Sequence, residues 1–228
     1  MKKYQKDLYS IHNNLFYKGG FMKKFTVSLF TMFTVSAVFA AEIMLPKPDL
    51  QSGKPLMQCF ALRRSSRNFA AKALPQQIIA EILFAADGIN RPDGHKTVPT
   101  ALNRQNQTVY AVMQDGVYLY NSKKHSLLPV NKGDFRKDCG MQPFHSKAPL
   151  ILVFVSDMSA VGKTPVEQAL YSGNHSGSAA QNVYLYAASK GLSTVICGSI
   201  KKDLLKKILK LNDKQQAMFS QPIGFPAN

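Results

Sequence analysis

The chain has 228 residues, 45% of them hydrophobic and 18% charged, with no Trp. That supplies a sizeable core and excludes disordered, collagen-like and disulfide-dense classes. The formal net charge of +16 invites a nucleic-acid reading, but the chain lacks any recognisable binding motif, and no nucleic-acid partner is expected.

The first forty residues read as a targeting segment. Met22-Lys23-Lys24 is a short cationic start, Phe25–Phe39 is an uncharged and mostly apolar run, and Ala37-Val38-Phe39-Ala40-Ala41 offers small residues to a signal peptidase. Residues 1–40 are therefore expected to be a signal peptide, cut after Ala40 or Ala41, with Met22 the better initiator. The run is too short for a membrane span. The protein is expected to be exported, to the periplasm, with no stable span after cleavage. Removing residues 1–40 takes away six lysines and Asp7 and leaves a net charge of +11.

Residues 41–55, with Pro46, Pro48, Gly53 and Pro55, predict an extended arm, and residues 56–228 a single domain. Leu56–Leu62 has helical apolar spacing and runs into Arg63-Arg64-Ser65-Ser66-Arg67. Leu74-Pro75 opens a helix that Gly88 stops. Residues 88–108 read as a long polar loop. Val109–Met113 and Val117–Tyr120 flank a glycine-containing turn and predict a hairpin, with a further strand at 126–130. Leu150–Val155 is a continuous apolar run, the mark of a buried central strand. Pro165–Lys190 predicts a long helix ended by Gly191, its interior holding Gly173 and Gly177, which cost stability unless another backbone or a ligand lies close. A short strand at 193–197, an amphipathic helix at 200–211 and a closing strand at 221–226 complete an α+β fold.

Cys59, Cys139 and Cys197 allow one disulfide or three free thiols, and neither they nor the five histidines have metal-ligand spacing. Chemistry concentrates at three places. Three guanidiniums and two hydroxyls within residues 63–67 suit a phosphate or carboxylate, although a solvated basic turn would look alike. The run Pro99-Thr100-Ala101-Leu102-Asn103-Arg104-Gln105 carries amides that can pair with the edge of a heterocycle. Gly198, between Cys197 and Ser199, lets a backbone N–H approach a flat ligand, or serves as a plain strand-to-helix turn.

Taken in order, these blocks resemble the nitroreductase family of FMN-dependent oxidoreductases, and most closely the branch with the thiazole- and oxazole-forming (azoline) dehydrogenases. Arg-Arg-Ser-x-Arg followed by Phe69 resembles the family's opening block, residues 99–105 its Pro-Ser-x-x-Asn-x-Gln loop, and 177–192 its long core helix. The resemblance implies a central, mostly antiparallel sheet flanked by helices in an intertwined homodimer. It implies that Arg63, Arg64, Ser65 and Arg67 hold the FMN phosphate and ribityl chain. It further implies that Asn103 meets the isoalloxazine ring and that the backbone of Cys197, Gly198 and Ser199 lies beside N5 and O4. NAD(P)H would give a hydride to N5, and a small-molecule acceptor such as a nitroaromatic or quinone would take it, with no side-chain nucleophile. An azoline dehydrogenase and a non-catalytic exported flavin-binding protein are the alternatives. Cys197 reads as a small buried residue in preference to a redox group.

Overall fold

The computed structural model describes residues 41–227; the expected signal peptide lies outside the described residues. The described residues form one compact unit. Its centre is a seven-stranded sheet in the order β1-β4-β3-β2-β5-β7-β6, with every strand pairing antiparallel. The strands are β1 (Ile43–Met44), β2 (Gln107–Val112), β3 (Gly116–Asn121), β4 (Ser126–Lys132), β5 (Leu150–Asp157), β6 (Ser193–Thr194) and β7 (Gln215–Gly224). The helices are α1 (Leu56–Leu62), α2 (Gln76–Asp87), α3 (Pro165–Lys190) and α4 (Lys202–Ile208).

The apolar run at 150–155 takes the centre because both its faces can be buried. Alternate residues Leu150, Leu152 and Phe154 join Val109 and Ala111 under α2 and α3. Ile151, Val153 and Val155 join Tyr110, Val112 and Leu205 of α4 on the other face. Antiparallel pairing to β2 and β7 satisfies its backbone on both edges.

Helix α3 is set by strong stop signals. Thr164 and Glu167 form a reciprocal capping box, Pro165 occupies the first turn, and Gly191 adopts the left-handed conformation, φ 69°, at the end. Three elements differ from expectation. Strand β7 begins at Gln215, six residues early, because its polar residues pair with β5 right through to Asp157. The strand expected at 193–197 keeps only Ser193–Thr194 in the ladder, and Cys197 rejoins β7 through a two-way bridge with Ser220. Helix α4 is limited to seven residues.

The arm at 41–55 is fastened along α2 and α3. Lys54 N–H donates to Ser189 Oγ (2.8 Å), and the buried Glu81 carboxylate collects Tyr186 (2.7 Å), Gln77 (2.8 Å) and the Asp49 amide (3.3 Å). Burial alone would raise the Glu81 carboxyl, but these donors and Lys190 hold it below its ordinary value. Gly53 turns the arm at φ +120°, where a Cβ would strike the Ser189 hydroxyl, so glycine is required twice over. Among the described residues no helix is long and apolar enough to cross a membrane.

Candidate active site

Helix α1 ends when Arg63 turns extended (φ −57°, ψ 123°) with its N–H on Cys59 O. The chain then runs straight through the Arg-Ser cluster. Ser66 N–H donates to Thr194 O (2.9 Å) and Ala70 N–H to Phe225 O (2.8 Å), so the run lies along β6 and the end of β7. Tyr184, rising from α3, supports it from beneath. Its hydroxyl accepts Ile196 N–H (2.9 Å) and shares a hydrogen bond with Ser65 Oγ (2.8 Å), while the Arg63 guanidinium sits 5.3 Å from its ring centre. Ser66 is tied up separately, Oγ to Oγ of Ser193 at 2.9 Å.

These elements enclose an open cleft of about 530 Å³ lined by Lys54, Arg64, Ser65, Tyr184, Thr194 and Pro226. Arg64 and Arg67 are exposed, as an anion cradle requires. The Cys197 thiol is pushed up to about 11 by burial, against an opposing pull from the Arg67 charge. The thiol is therefore protonated at neutral pH and is no nucleophile. All three cysteines are buried and free, which closes the disulfide option. Beyond Cys197, Gly198 and Ser199 are exposed.

Behind that segment the support is buried and polar. Cys197 and Ser220 exchange both backbone hydrogen bonds (2.8 and 3.0 Å), and Ser199 O accepts Met141 N–H (3.1 Å). His145 Nδ1 donates to Gln142 O (3.0 Å), leaving Nε2 to accept from Ser220 Oγ (3.1 Å). Burial keeps this imidazole below its ordinary pKa, hence neutral.

The structure thus brings Arg63, Arg64, Ser65, Arg67, Cys197, Gly198 and Ser199 to one region. It does not bring Asn103 there. Asn103 ends a 3₁₀ turn, Ala101–Asn103, pinned to His175 in the first half of α3. At the helical rise of 1.5 Å per residue, His175 is roughly 13 Å along the axis from Tyr184 and roughly 24 Å from Gly191. Two contributors escaped the sequence reading. Lys54, on the arm, places a second cation beside Arg64 on the cleft wall and donates to Ser189 O (3.0 Å). Tyr184 reads in sequence as an ordinary core or interface aromatic, because its partners lie 119 and 12 residues away.

Two helices leave apolar side chains uncovered. Helix α1 buries only Cys59 and exposes Leu56, Met57, Phe60 and Leu62. On α3, Val166 and Leu170 are exposed, and a Cβ added at Gly173 or Gly177 would meet nothing within 4 Å. Packing within one chain therefore does not explain these glycines.

Comparison with known proteins agrees with this architecture. The Nitroreductase family matches residues 61–225. A nitroreductase-family protein of Methanocaldococcus jannaschii is 30% identical over 194 residues, covering 80% of this chain and 96% of the relative. The crystal structure of a nitroreductase-family protein of Ralstonia eutropha superposes with a TM-score of 0.79 at 35% identity, over 84% of this chain and 92% of that one. One from Desulfovibrio desulfuricans, solved in complex with FMN, shares the fold at 21% identity and a TM-score of 0.55, over 78% of this chain and 89% of that one. The chain belongs to the nitroreductase family, a class of oxidoreductases.

Proposed function

We propose that this protein is an FMN-dependent oxidoreductase that works as a homodimer, with NAD(P)H as electron donor and a nitroaromatic, quinone or similar small molecule as acceptor. One observation carries the reading. The extended Arg-Ser run is tied to Thr194, a few residues before the exposed Gly198–Ser199 backbone, and the Arg67 charge acts on Cys197, so an anion cradle and a flat backbone surface lie close together. A phosphorylated planar cofactor fits that pair of features: the cleft is open, its cations are exposed, and no side chain in it is charged negative.

FMN, when bound, would supply two-electron hydride exchange. Arg63, Arg64 and Arg67 would neutralise the phosphate, with Ser65 and the Tyr184 hydroxyl ordering the adjoining chain of hydroxyls. The backbone of Cys197–Ser199, braced by Ser220 and His145, would orient the ring edge, and the protonated Cys197 thiol would stay out of the reaction. Position is the protein's contribution, so no acid–base dyad is needed.

The placement of Asn103 supports a dimer. The turn that carries it stands too far along α3 from its own chain's cradle, and in this reading a second copy would receive it at the partner's cradle. The exposed apolar residues of α1 and α3 would be covered by the same association.

The test is anaerobic. FMN-loaded protein mixed with NADH or NADPH should bleach in the visible and recover its colour on adding a quinone or nitroaromatic. Tightly bound FMN that neither nucleotide bleaches would refute the donor assignment and favour the azoline dehydrogenase or the flavin-binding protein. Export is proposed with it: N-terminal sequencing of protein from the periplasmic fraction should begin at Ala41 or Glu42, and an intact Met1 or Met22 there would contradict cleavage.

A further inference from the structure

Beneath the first half of α3 four buried side chains form a continuous line of hydrogen bonds. Ser172 Oγ meets Ser156 Oγ (2.7 Å), Asn106 Nδ2 donates to Ser156 Oγ (2.5 Å), Asn106 Oδ1 meets His175 Nδ1 (2.8 Å), and His175 Nε2 meets Ala101 N–H (2.9 Å). Their exposures are 0, 1, 5 and 2% for Ser172, Ser156, Asn106 and His175. The proton inventory has one solution. A peptide N–H can only donate, so Nε2 carries no proton; an amide oxygen can only accept, so Nδ1 carries one. His175 is held as the neutral Nδ1–H tautomer.

What hangs from Nε2 is an unusual turn. Leu102, Asn103 and Gln105 have φ of 52°, 51° and 46°, in the left-handed region that favours glycine, and none is glycine. Such a run persists only where its surroundings hold it. The holds from outside the turn's own backbone are Thr100 Oγ1, accepting Gln105 N–H (2.9 Å), the Gln105 side chain, whose Nε2 donates to Gly94 O (3.0 Å) and Asn103 Oδ1 (3.2 Å), and His175, accepting Ala101 N–H at the start of the turn. Leu102 is 85% exposed, so packing within this chain contributes little.

We propose that His175 is a positioning residue: its neutral imidazole pins Ala101 and so presents Asn103, and protonation at Nε2 releases the turn. The proposal rests on the reading of Asn103 as a flavin contact at the partner's cradle. Protonation would convert the acceptor that holds Ala101 N–H into a second donor facing it. The groups around the ring are Tyr171 of the same helix (ring centres 6.4 Å apart), Asn106 ahead of β2, the Ala101 backbone of the turn, and Ser156 of β5 behind the amide. Among the described residues no carboxylate, lysine or arginine bonds either ring nitrogen. Burial moves the imidazole below its ordinary value, so the pin is closed at neutral pH and opens only on the acid side.

Two readouts on the purified dimer separate the pin from the flavin reading: amide-exchange protection at Ala101 without FMN, and FMN affinity across pH. In wild type, protection should collapse on acidification and FMN affinity fall about tenfold with it, the equivalent of one lost hydrogen bond. H175Q sets a non-titrating amide oxygen near the place of Nε2. It should restore protection and affinity and flatten both pH profiles. H175N keeps a donor toward Asn106 but is too short to reach Ala101, and should lose protection at every pH. Wild-type protection in H175N, or an acid inflection surviving in H175Q, would overturn the proposal. If protection follows this pattern while FMN affinity ignores it, the pin stands and the assignment of Asn103 to the flavin fails.

Discussion

At the scale of single residues the cleft offers charge and one hydroxyl. Arg64 and Arg67 are exposed and free to meet an anion, and a charge-assisted hydrogen bond is worth about 1.5–3 kcal/mol. The double variant R64A/R67A should therefore weaken FMN binding by about 100-fold or more, read by equilibrium dialysis, with the fold unchanged by circular dichroism; normal flavin content would remove the cradle assignment. Tyr184→Phe deletes the acceptor of Ile196 N–H and the partner of Ser65 together. Leaving that amide unpaired should cost about 1–3 kcal/mol and lower the melting temperature by on the order of 5 °C, measured by calorimetry. C197A should bind FMN as wild type does, because the thiol is protonated and spends its polarity on a weak contact to Val195 O. The arginine cluster was legible in the sequence because its five members adjoin. Tyr184 and Lys54 were not, since their roles arise only when the arm, α3 and β6 meet in space.

At the scale of elements, α3 organises the site. Its limits were readable from Pro165 and Gly191, and its two interior glycines signalled a close approach without saying to what. The structure answers in part, because their outer face meets nothing of this chain. A bulky side chain at Gly177 should therefore leave the monomer folded, with a gain of about 1 kcal/mol or less in helix propensity, and disrupt the proposed dimer. Light scattering after size exclusion should show G177L as a folded monomer with reduced FMN binding; an intact G177L dimer would place the interface elsewhere. The early start of β7 was illegible for a physical reason. Gln215, Gln216 and Ser220 show no apolar alternation, and they enter the sheet because β5 offers them a full row of backbone partners. The Asn103 turn was readable as a polar loop, but its separation from the Arg-Ser cluster depends on the course of α3, which no local spacing encodes.

For the molecule as a whole, stability carries a pH signature from one buried ion pair. Asp87, at the end of α2, bonds Lys96 at 2.6 Å, and burial raises its carboxyl to about 6 against the opposing pull of Lys96. A carboxyl whose folded value lies above its unfolded value of 3.8 contributes stability that is complete below that value and is lost as pH rises through about 6. A shift of this size corresponds to about 3 kcal/mol at most. Urea unfolding of wild type and D87N should therefore show their difference moving toward D87N between pH 4 and pH 7, and a constant difference would contradict the raised carboxyl. The fold class, the antiparallel sheet and the open cleft then form one account: a central strand buried on both faces, a long helix carrying the cleft's floor, and uncovered apolar residues on α1 and α3 that the proposed second copy would cover. The measurement closest to its centre is a titration of FMN into purified residues 41–228, followed by the visible spectrum and by mass in solution. The account predicts a dimer binding one FMN per chain, with the R64A/R67A dimer failing to hold it. A folded dimer that binds no FMN would contradict it.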